Sequence, residues 1–208
     1  MSCIIINEMK KEKKGEIRII RGKWKGKKIY FDLNDDLRPT PDRAKETLFN
    51  WLGQDLSQMS CLDLFSGTGA LGLEAFSRGA KKVTFVEKNK EYLQKIKKVY
   101  LEMSEKEDCD FFCAECLDWV QNNSSKTKYD LIFIDPPFNK NLINNLLSNI
   151  LKRELLSESG KIYFEFEKKL DLKIPESLSL KKKKNLGRKT EKRRKNKKTL
   201  CYRLIIAQ

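Results

Sequence analysis

The fold of this protein is determined by a predicted strand, a glycine turn and a helix start in the stretch Cys61-Leu-Asp-Leu-Phe-Ser-Gly-Thr-Gly-Ala-Leu-Gly-Leu-Glu74. The apolar residues 61–65 predict a buried strand. The three glycines predict a tight turn, because glycine accepts positive φ and lets a ligand approach the backbone closely. The helix predicted at 70–77 would offer unpaired N–H groups at its N-terminus. The stretch therefore predicts a cradle for a nucleotide cofactor.

From this stretch onward, predicted strands and helices alternate. The strands are predicted at 61–65, 82–87, 110–114, 129–135 and 161–167, and the helices at 70–77, 90–103, 117–122 and 142–156. Repeated strand–helix units indicate a parallel sheet with helices on both faces. Alternating apolar residues in 199–207 predict a last strand, which we expect to be antiparallel. The sequence therefore predicts an α/β fold of the Rossmann-like type.

The N-terminal part predicts a β-hairpin that carries many positive charges. Residues 1–15 show no clear period, and we expect a mobile extension there, followed by a single domain at 16–208. Residues 17–31 predict two strands joined by a turn at Gly22 and Gly26. The turn combines cations with one aromatic residue, at Arg21, Lys23, Trp24 and Lys25. This composition suits either RNA, whose bases stack on aromatic side chains, or a solvated hairpin in which Trp24 covers the sheet.

A helix is predicted to open with Arg38-Pro-Thr-Pro-Asp-Arg43. Thr40 suits the N-cap, Pro41 the first helical position and Asp42 the first turn. The helix would end at Gly53 and would bury an apolar stripe formed by Ala44, Leu48, Phe49 and Leu52. The segment 16–53 therefore consists of a predicted hairpin and a predicted helix.

The chain carries a net charge of +15 over 208 residues, from 44 Lys and Arg against 29 Asp and Glu. The excess is concentrated in residues 181–198, which contain twelve Lys or Arg and one Glu. Such a run cannot build a core and predicts a basic loop, either disordered or folded as a basic hairpin. Its charge indicates a nucleic-acid partner, and a lysine-rich surface that serves solubility is the alternative.

The sequence has six cysteines and no histidine, which removes Ser-His and Cys-His catalysis and most zinc sites. We see neither a secretory signal nor an 18-residue apolar span, so we expect a cytoplasmic protein with reduced thiols. The spacing Cys109-x3-Cys113-x2-Cys116 is similar to that of iron–sulfur ligands in radical enzymes. Cys113, however, lies in a predicted strand, whose alternation places Cys109, Phe111 and Cys113 on one face and Phe112 on the other. The glycine cradle, moreover, belongs to a different fold from that of the radical enzymes. We therefore expect no metal.

The spacing Gly67-x-Gly69-x-x-Gly72 matches the fingerprint of dinucleotide-binding enzymes, so a dehydrogenase is one candidate. Glu87 ends the next predicted strand, twenty residues after Gly67, where a carboxylate binds ribose hydroxyls. Asp63 argues against a dinucleotide. An acid inside this strand suits a cationic or amine-bearing ligand better than a pyrophosphate.

The tetrapeptide Asp135-Pro-Pro-Phe138 follows a predicted strand at the end where α/β sheets bind ligands. The two prolines stiffen the backbone and lack N–H donors, so the local polar groups are carbonyl oxygens and the Asp135 carboxylate. Acceptors beside the flat face of Phe138 fit a planar base with an exocyclic NH₂ group. Hydrogen bonds from that group would favour its pyramidal, nucleophilic form. A proline-terminated strand with an edge aromatic is the structural alternative.

The glycine motif and the Asp135-Pro-Pro-Phe138 motif together resemble those of S-adenosylmethionine-dependent amino methyltransferases. The Gly22-Lys-Trp-Lys-Gly26 hairpin and the segment Arg38-Pro-Thr-Pro-Asp-Arg-Ala-Lys-Glu-Thr-Leu-Phe-Asn-Trp-Leu52 narrow the resemblance to the RsmD family. The resemblance covers residues 17–170 and the last strand. It implies a class I methyltransferase fold with a mostly parallel seven-stranded sheet and S-adenosylmethionine as cofactor. It further implies a monomer that methylates guanine N2 in 16S rRNA or the assembling small ribosomal subunit.

The resemblance also implies the residues that hold the cofactor. Gly67 and Gly69 would approach its methionine and ribose portions, and Glu87 would hold the ribose hydroxyls. Glu115 stands where the family usually has Asp beside the adenine amino group. The complete implied set is Thr40, Asp63, Phe65, Gly67, Gly69, Glu87 and Glu115.

The implied target site lies in the Asp135 motif. Asp135 and the Pro136 carbonyl would accept from the guanine amine, while Pro137 completes the motif and Phe138 would stack on the base. Thr40 and Arg43 would close the site over cofactor and target. RNA contacts are expected from Arg21, Lys23, Trp24, Lys25, Arg38 and Arg43.

Two alternative functions remain open at this point. A DNA adenine-N6 or cytosine-N4 methyltransferase shares the acceptor motif, although 208 residues leave little space for its usual target-recognition domain. The second alternative is a non-catalytic RNA-binding factor for ribosome assembly, which would keep the methyltransferase fold and lose the activity. The intact glycine turn, Glu87 and Asp135 motif argue against such decay.

Overall fold

The computed structural model of the chain describes residues 14–32, 40–104, 108–123, 127–136, 142–167, 172–185 and 200–207. Within these ranges the chain forms nine strands and five helices. In chain order they are β1 (Lys14–Arg18), β2 (Lys28–Asp32), α1 (Asp42–Leu52), β3 (Ser60–Asp63), α2 (Ala70–Ser77), β4 (Lys82–Glu87), α3 (Lys90–Met103), β5 (Cys109–Cys113), α4 (Cys116–Asn122), β6 (Tyr129–Ile134), α5 (Leu142–Lys152), β7 (Leu156–Glu167), β8 (Leu178–Asn185) and β9 (Leu200–Ala207).

Seven of the described strands form one sheet in the order β5-β4-β3-β6-β7-β9-β8, and β1 pairs with β2 in a separate antiparallel hairpin. The five strands from β5 to β7 are parallel to one another, whereas β9 is antiparallel to both of its neighbours. The central strand β6 has four consecutive fully buried residues at 131–134, as expected for a strand covered on both faces. The predicted α/β fold, mostly parallel and seven-stranded, is confirmed.

Each face of the sheet is covered by a different set of elements. One core joins the hairpin, α1, α2 and α3 to the sheet and includes Phe49, Phe76 and Phe85. The other core joins α4 and α5 to the opposite face and includes Val120 and Leu146. The chain therefore forms two apolar layers around one sheet, so that the ends of the strands remain for a site.

The strand register places three acidic residues at the carboxyl ends of three adjacent strands, which together form one end of the sheet (its carboxyl edge). Asp63 at the end of β3 lies opposite Phe85 of β4 and Phe133 of β6. Glu87 and Asp135 each follow those partners by two residues, at the ends of β4 and β6. Because the strands are parallel, all three carboxyl groups lie at the carboxyl edge, where α/β sheets bind ligands.

Several predicted boundaries shift by a few residues. Lys14 and Gly15 belong to β1 rather than to a mobile extension, and residues 1–13 lie outside the described ranges. The helix predicted to reach residue 156 ends at Lys152, and Glu154 then takes a positive φ of 53°. A non-glycine residue at positive φ cannot continue a right-handed helix, so the chain turns into β7 there.

The largest correction concerns the basic run 181–198. Residues 181–185 lie in β8, which pairs with β9 antiparallel, instead of in a loop. The basic-hairpin interpretation is therefore confirmed for these five residues, and 186–198 lie outside the described ranges. The bounds of this strand were not predicted, because a lysine run has low β propensity. At the edge of a sheet, however, lysine is common.

Among the described residues, none of the helices has the length and apolar character needed to cross a membrane.

Candidate active site

The glycine turn between β3 and α2 uses its three glycines for two purposes. Gly67 and Gly69 have φ values of 49° and 77°, a region that residues with a Cβ rarely adopt. Gly72 has a different role: a Cβ there would lie 2.3 Å from a ring atom of Phe85. The first two glycines shape the turn, and the third allows α2 to pack closely on β4.

Glu87 holds the glycine turn to the end of β4. Its Oε2 accepts a hydrogen bond from Gly67 N–H at 2.8 Å, and its Oε1 accepts one from Asn89 N–H at 2.8 Å. An ionised carboxylate has about four acceptor positions, so both oxygens retain capacity for a ribose hydroxyl. Glu87 is where the sequence placed it, and the ribose contact stays a prediction.

Asp63 is a buried carboxylate with 2% of its surface exposed. Its Oδ2 accepts a hydrogen bond of 3.0 Å from Gly72 N–H, in the first turn of α2. Burial and, to a smaller extent, the charges of Asp135 and Glu87 raise the pKa of Asp63 from 3.8 to about 7, against the effect of the Gly72 bond. The structure thus gives Asp63 a role in holding the start of α2, and its cofactor contact stays a prediction.

Asp135 is partly buried at the end of β6, and Pro136 beside it is buried. Thr40 Oγ1 donates a hydrogen bond of 3.0 Å to Asp135 Oδ2. Burial raises the pKa of Asp135 from 3.8 to about 6, and the Thr40 bond opposes this rise. The motif residues Pro137 and Phe138 lie outside the described ranges, as does Arg38.

The predicted N-cap role of Thr40 is wrong. The N-cap of α1 is Pro41, and no side chain caps the helix through a hydrogen bond. The Pro41 carbonyl oxygen accepts from Ala44 N–H at 2.8 Å and from Lys45 N–H at 3.1 Å. The Thr40 hydroxyl donates to Asp135 instead, so the residue joins the N-terminal part of the chain to the site.

The other two predicted cofactor residues flank this edge of the sheet. Phe65 is partly buried and packs against the core that contains α4 and α5. Glu115 precedes α4 with 60% of its side chain exposed, and its Oε1 lies 3.5 Å from Lys88 Nζ. Glu115 is therefore accessible, while its contact with adenine stays a prediction.

The hairpin turn is held by polar side chains at the C-terminal end of α2. Glu74 accepts hydrogen bonds from Ile20 N–H at 2.8 Å and Arg21 N–H at 3.0 Å, although it is fully buried. Arg78 pairs with the same carboxylate at 2.8 Å. Ser77 Oγ donates to the Arg21 carbonyl oxygen at 2.6 Å and accepts from Trp24 N–H at 3.1 Å.

Trp24 packs the hairpin on α2. Its ring stacks on Phe76, with centroids 4.8 Å apart and an interplanar angle of 16°, and Lys23 Nζ lies 4.9 Å from the indole centroid. Of the two interpretations of Trp24, the covering role is the one seen, although the residue covers a helix rather than a sheet. Phe76 covers one face of the indole, and the stacking of RNA bases on Trp24 stays a prediction.

The cations expected to contact RNA are exposed. They are Arg21, Lys23 and Lys25 in the hairpin turn and Arg43 in α1. Their exposure leaves their charges available to phosphate groups, and the contact itself stays a prediction.

The three spaced cysteines do not converge. Cys109 packs with the core beneath α2 and α3, whereas Cys116 belongs to the core on the opposite face. Cys113 is exposed, and its Sγ lies 3.6 Å from the Lys88 carbonyl oxygen. Burial raises the pKa of the Cys109 thiol to about 12 and also raises that of Cys116. A shared cluster would need all three thiolates on one side of the sheet. The arrangement of these cysteines therefore does not fit an iron–sulfur cluster.

The sequence analysis missed two buried charged residues, Glu74 and Lys45, that hold the hairpin to α2 and α1. Glu74 is the one acid in the otherwise apolar or small segment of α2, which was a usable signal. Lys45 is 1% exposed, and its Nζ donates to the Arg18 carbonyl oxygen at 2.6 Å. Its position beside an apolar stripe gave no such signal, because lysine usually places its charge in water.

The chain is similar in sequence to known methyltransferases. The family described as "Conserved hypothetical protein 95" matches residues 17–193. Ribosomal RNA small subunit methyltransferase D of Haemophilus influenzae is 41% identical over 84% of this chain and 91% of that protein. The protein of the same name from Escherichia coli is 34% identical over 83% of this chain and 86% of that protein.

A solved structure extends the similarity to three dimensions. A putative methyltransferase, yhhF, from Escherichia coli superposes with a TM-score of 0.78 at 31% identity, covering 93% of this chain and 99% of that chain. The chain therefore belongs to the ribosomal RNA small subunit methyltransferase D (RsmD) family, and its fold and cofactor are those of class I S-adenosylmethionine-dependent methyltransferases.

Proposed function

We propose that this protein transfers a methyl group from S-adenosylmethionine to the exocyclic N2 of a guanine in 16S rRNA of the small ribosomal subunit. The observation that carries the proposal is the place of Asp135 and Pro136 at the carboxyl end of β6. The neighbouring strand β3 leads into the glycine turn. Acceptors for an amine and a cradle for the cofactor therefore stand at adjacent strand ends.

The target end of the site consists of hydrogen-bond acceptors. Asp135 offers a carboxylate, and Pro136 offers a carbonyl oxygen without an N–H group. Both can accept a hydrogen bond from an NH₂ group. These hydrogen bonds would draw the nitrogen lone pair out of conjugation with the ring. Positive charge develops on that nitrogen as it reacts, and a fixed carboxylate stabilises such charge. This chemistry requires an amine as acceptor of the methyl group, as in guanine N2.

The cofactor end of the site fits S-adenosylmethionine, which supplies an electrophilic methyl group on a positively charged sulfur when bound. Gly67 and Gly69 present backbone without a Cβ at positive φ. Glu87 retains acceptor positions beside Gly67, and Glu115 is exposed for the adenine end. The acidic edge formed by Asp63, Glu87 and Asp135 favours a ligand with positive charge.

The proposed contacts with RNA rest on exposed positively charged side chains. Arg21, Lys23, Lys25 and Arg43 are exposed, and β8 carries exposed lysines at the far edge of the sheet. A base within a helix must leave its stack to reach Asp135, so the cations would hold phosphates while the base enters. Binding through phosphates weakens steeply as salt increases. The relatives named as small-subunit rRNA methyltransferases support this substrate class.

The deciding experiment replaces Asp135 with Ala and measures methyl transfer from labelled S-adenosylmethionine to small-subunit RNA. Loss of the acceptor should lower kcat by about 100-fold or more, as removal of one group that stabilises transition-state charge does. Cofactor affinity, measured by calorimetry, should fall much less than kcat, because D135A loses one nearby charge while the expected cofactor contacts are at other residues. Full activity of D135A would refute the acceptor role.

Mapping the labelled base separates the alternatives. Label at guanine N2 of 16S rRNA supports the proposal, and loss of that mark in a strain lacking the protein would confirm the target. Label on adenine N6 or cytosine N4 of DNA would show the first alternative. RNA binding without transfer to any nucleic acid would indicate an assembly factor.

A further inference from the structure

A single hydrogen bond joins the segment before α1 to the end of β6. Thr40 Oγ1 donates to Asp135 Oδ2 at 3.0 Å across a sequence separation of 95 residues. Thr40 is 8% exposed. Within the described ranges, this is the one hydrogen bond that the structure gives the Asp135 side chain. The orientation of that carboxylate is thus set by a residue outside the Asp135 motif.

We infer that Thr40 is a positioning residue for methyl transfer: its hydroxyl fixes one oxygen of Asp135 so that the remaining acceptor positions can meet the amine of the base. The inference rests on the proposed function, because it assigns Thr40 to the same acceptor. It differs from the cofactor-binding role that the family resemblance implied for Thr40.

The support of Thr40 is rigid enough for this role. Threonine is branched at Cβ, which restricts its χ1, and α1 begins two residues later. The helix is fixed by buried Leu48 and Phe49 and by Lys45, which binds the Arg18 carbonyl oxygen at 2.6 Å. An aspartate side chain has two rotatable bonds, so a donor on a fixed element removes freedom that would otherwise be lost when substrate binds.

The same bond favours the charged form of Asp135. A hydroxyl that donates to a carboxylate stabilises the ionised state, and only that state offers both oxygens as acceptors. Burial acts in the other direction and raises the pKa of Asp135. Asp63 on β3 and Glu87 at the end of β4 are carboxylates at the same edge, and the charge of Asp135 raises the pKa of Asp63. On the element that follows Thr40, the charged residues nearest in sequence are Asp42, which pairs with Lys45, and the exposed Arg43.

The test compares Thr40→Val, which keeps the shape and removes the hydroxyl, with Thr40→Ser, which keeps the hydroxyl. T40V should lower kcat at pH 7 by about tenfold, the effect of one hydrogen bond to a charged group. In a plot of kcat against pH, the acidic limb of T40V should move to higher pH by about half a unit to one unit, because loss of the donor raises the pKa of Asp135. Activity should recover partly at pH 9. T40S should keep both the rate and the limb.

Cofactor affinity and thermal unfolding complete the test. T40V should bind S-adenosylmethionine within about twofold of the parent and unfold at a similar temperature, since the cofactor residues are unchanged. A T40V limb that coincides with that of the parent protein would overturn the inference, and so would equal losses in T40V and T40S. If D135A is inactive and T40V behaves as the parent, only the Thr40 role fails. If D135A is active, the acceptor mechanism fails with it.

Discussion

The helix α2 meets a glycine-containing turn at each end, and the two turns are held in different ways. At the C-terminal end, Glu74 binds two backbone N–H groups of the hairpin turn, and Arg78 pairs with the same carboxylate. At the N-terminal end, Asp63 accepts from Gly72 N–H. Among the described residues, no cation forms an ion pair with Asp63.

The difference separates an end that is complete within the fold from one that is prepared for a ligand. Glu74 has its charge neutralised and its oxygens bound by the protein, so it serves stability. Asp63, Glu87 and Asp135 keep acidic character at one edge of the sheet, where burial and mutual repulsion raise the pKa of Asp63 to about 7. A positively charged cofactor would relieve that repulsion. Substitutions at the two ends should therefore have different consequences.

The largest effect is expected from Glu74→Ala. Breaking a buried ion pair by removing one partner costs about 3–5 kcal/mol, and here two hairpin N–H groups would also lose their acceptor. Chemical denaturation should show this loss of unfolding free energy. Glu102→Ala is the matched control, because Glu102 also pairs with the hairpin, through Lys27 at 3.0 Å, but with 51% of its side chain exposed. A surface pair contributes about 0–1 kcal/mol, so equal losses in the two variants would contradict the comparison.

The second effect is expected at the other end of α2, from Glu87→Ala. The variant loses the acceptor for Gly67 N–H and the proposed contact with the ribose hydroxyls. Cofactor affinity should fall by about 30- to 100-fold, the equivalent of about 2–3 kcal/mol for hydrogen bonds to a charged group. Calorimetric titration with S-adenosylmethionine measures it directly. Exposed Glu91, in the first turn of α3, is the control: E91A should bind as the parent does, and unchanged affinity in E87A would remove the ribose role.

The smallest effect is a difference between two glycines of the hairpin turn. Gly22 and Gly26 have similar φ values of 87° and 90°, so replacement by Ala strains both alike. A Cβ at Gly22 would lie 1.7 Å from the Ser77 carbonyl oxygen, whereas one at Gly26 meets nothing within 4 Å. Gly22→Ala should therefore cost about 1–3 kcal/mol more than Gly26→Ala. Equal thermal unfolding temperatures would show that the hairpin does not depend on its contact with α2.

Much of the fold was predictable because its pattern is local. The bounds of α2, β4 and α3 agree with the predictions, since glycine breaks, apolar runs and an Asn89 N-cap mark them. The sequence left β8 open between a loop and a hairpin, because its lysines are held as an edge strand by pairing with β9, outside the strand's own residues. Long-range pairing of this kind leaves no periodic signal in the strand itself.

The motif residues of the site were predictable from the sequence, whereas the residues that hold them in place were less so. Gly67, Gly69 and Glu87 come together as expected because the strand ends are adjacent in a parallel sheet. The bond from Thr40 to Asp135 could not be foreseen, because a threonine before Pro41 carries the signal of a helix cap. Trp24 was ambiguous for a similar reason. An aromatic residue among cations has the same composition whether it stacks on a base or on Phe76.

The position of β8 at the outer edge of the sheet has a consequence for the behaviour of the protein in concentrated solution. An edge strand offers unpaired N–H and C=O groups to which a second copy could add a strand. Exposed Lys181 and Lys183 on β8 place like charges against any such copy and keep it away. This repulsion extends about 10 Å at 0.1 M salt and about 3 Å at 1 M. The colloidal stability of the protein should therefore be greatest at low ionic strength, the same condition that strengthens its attraction to phosphates.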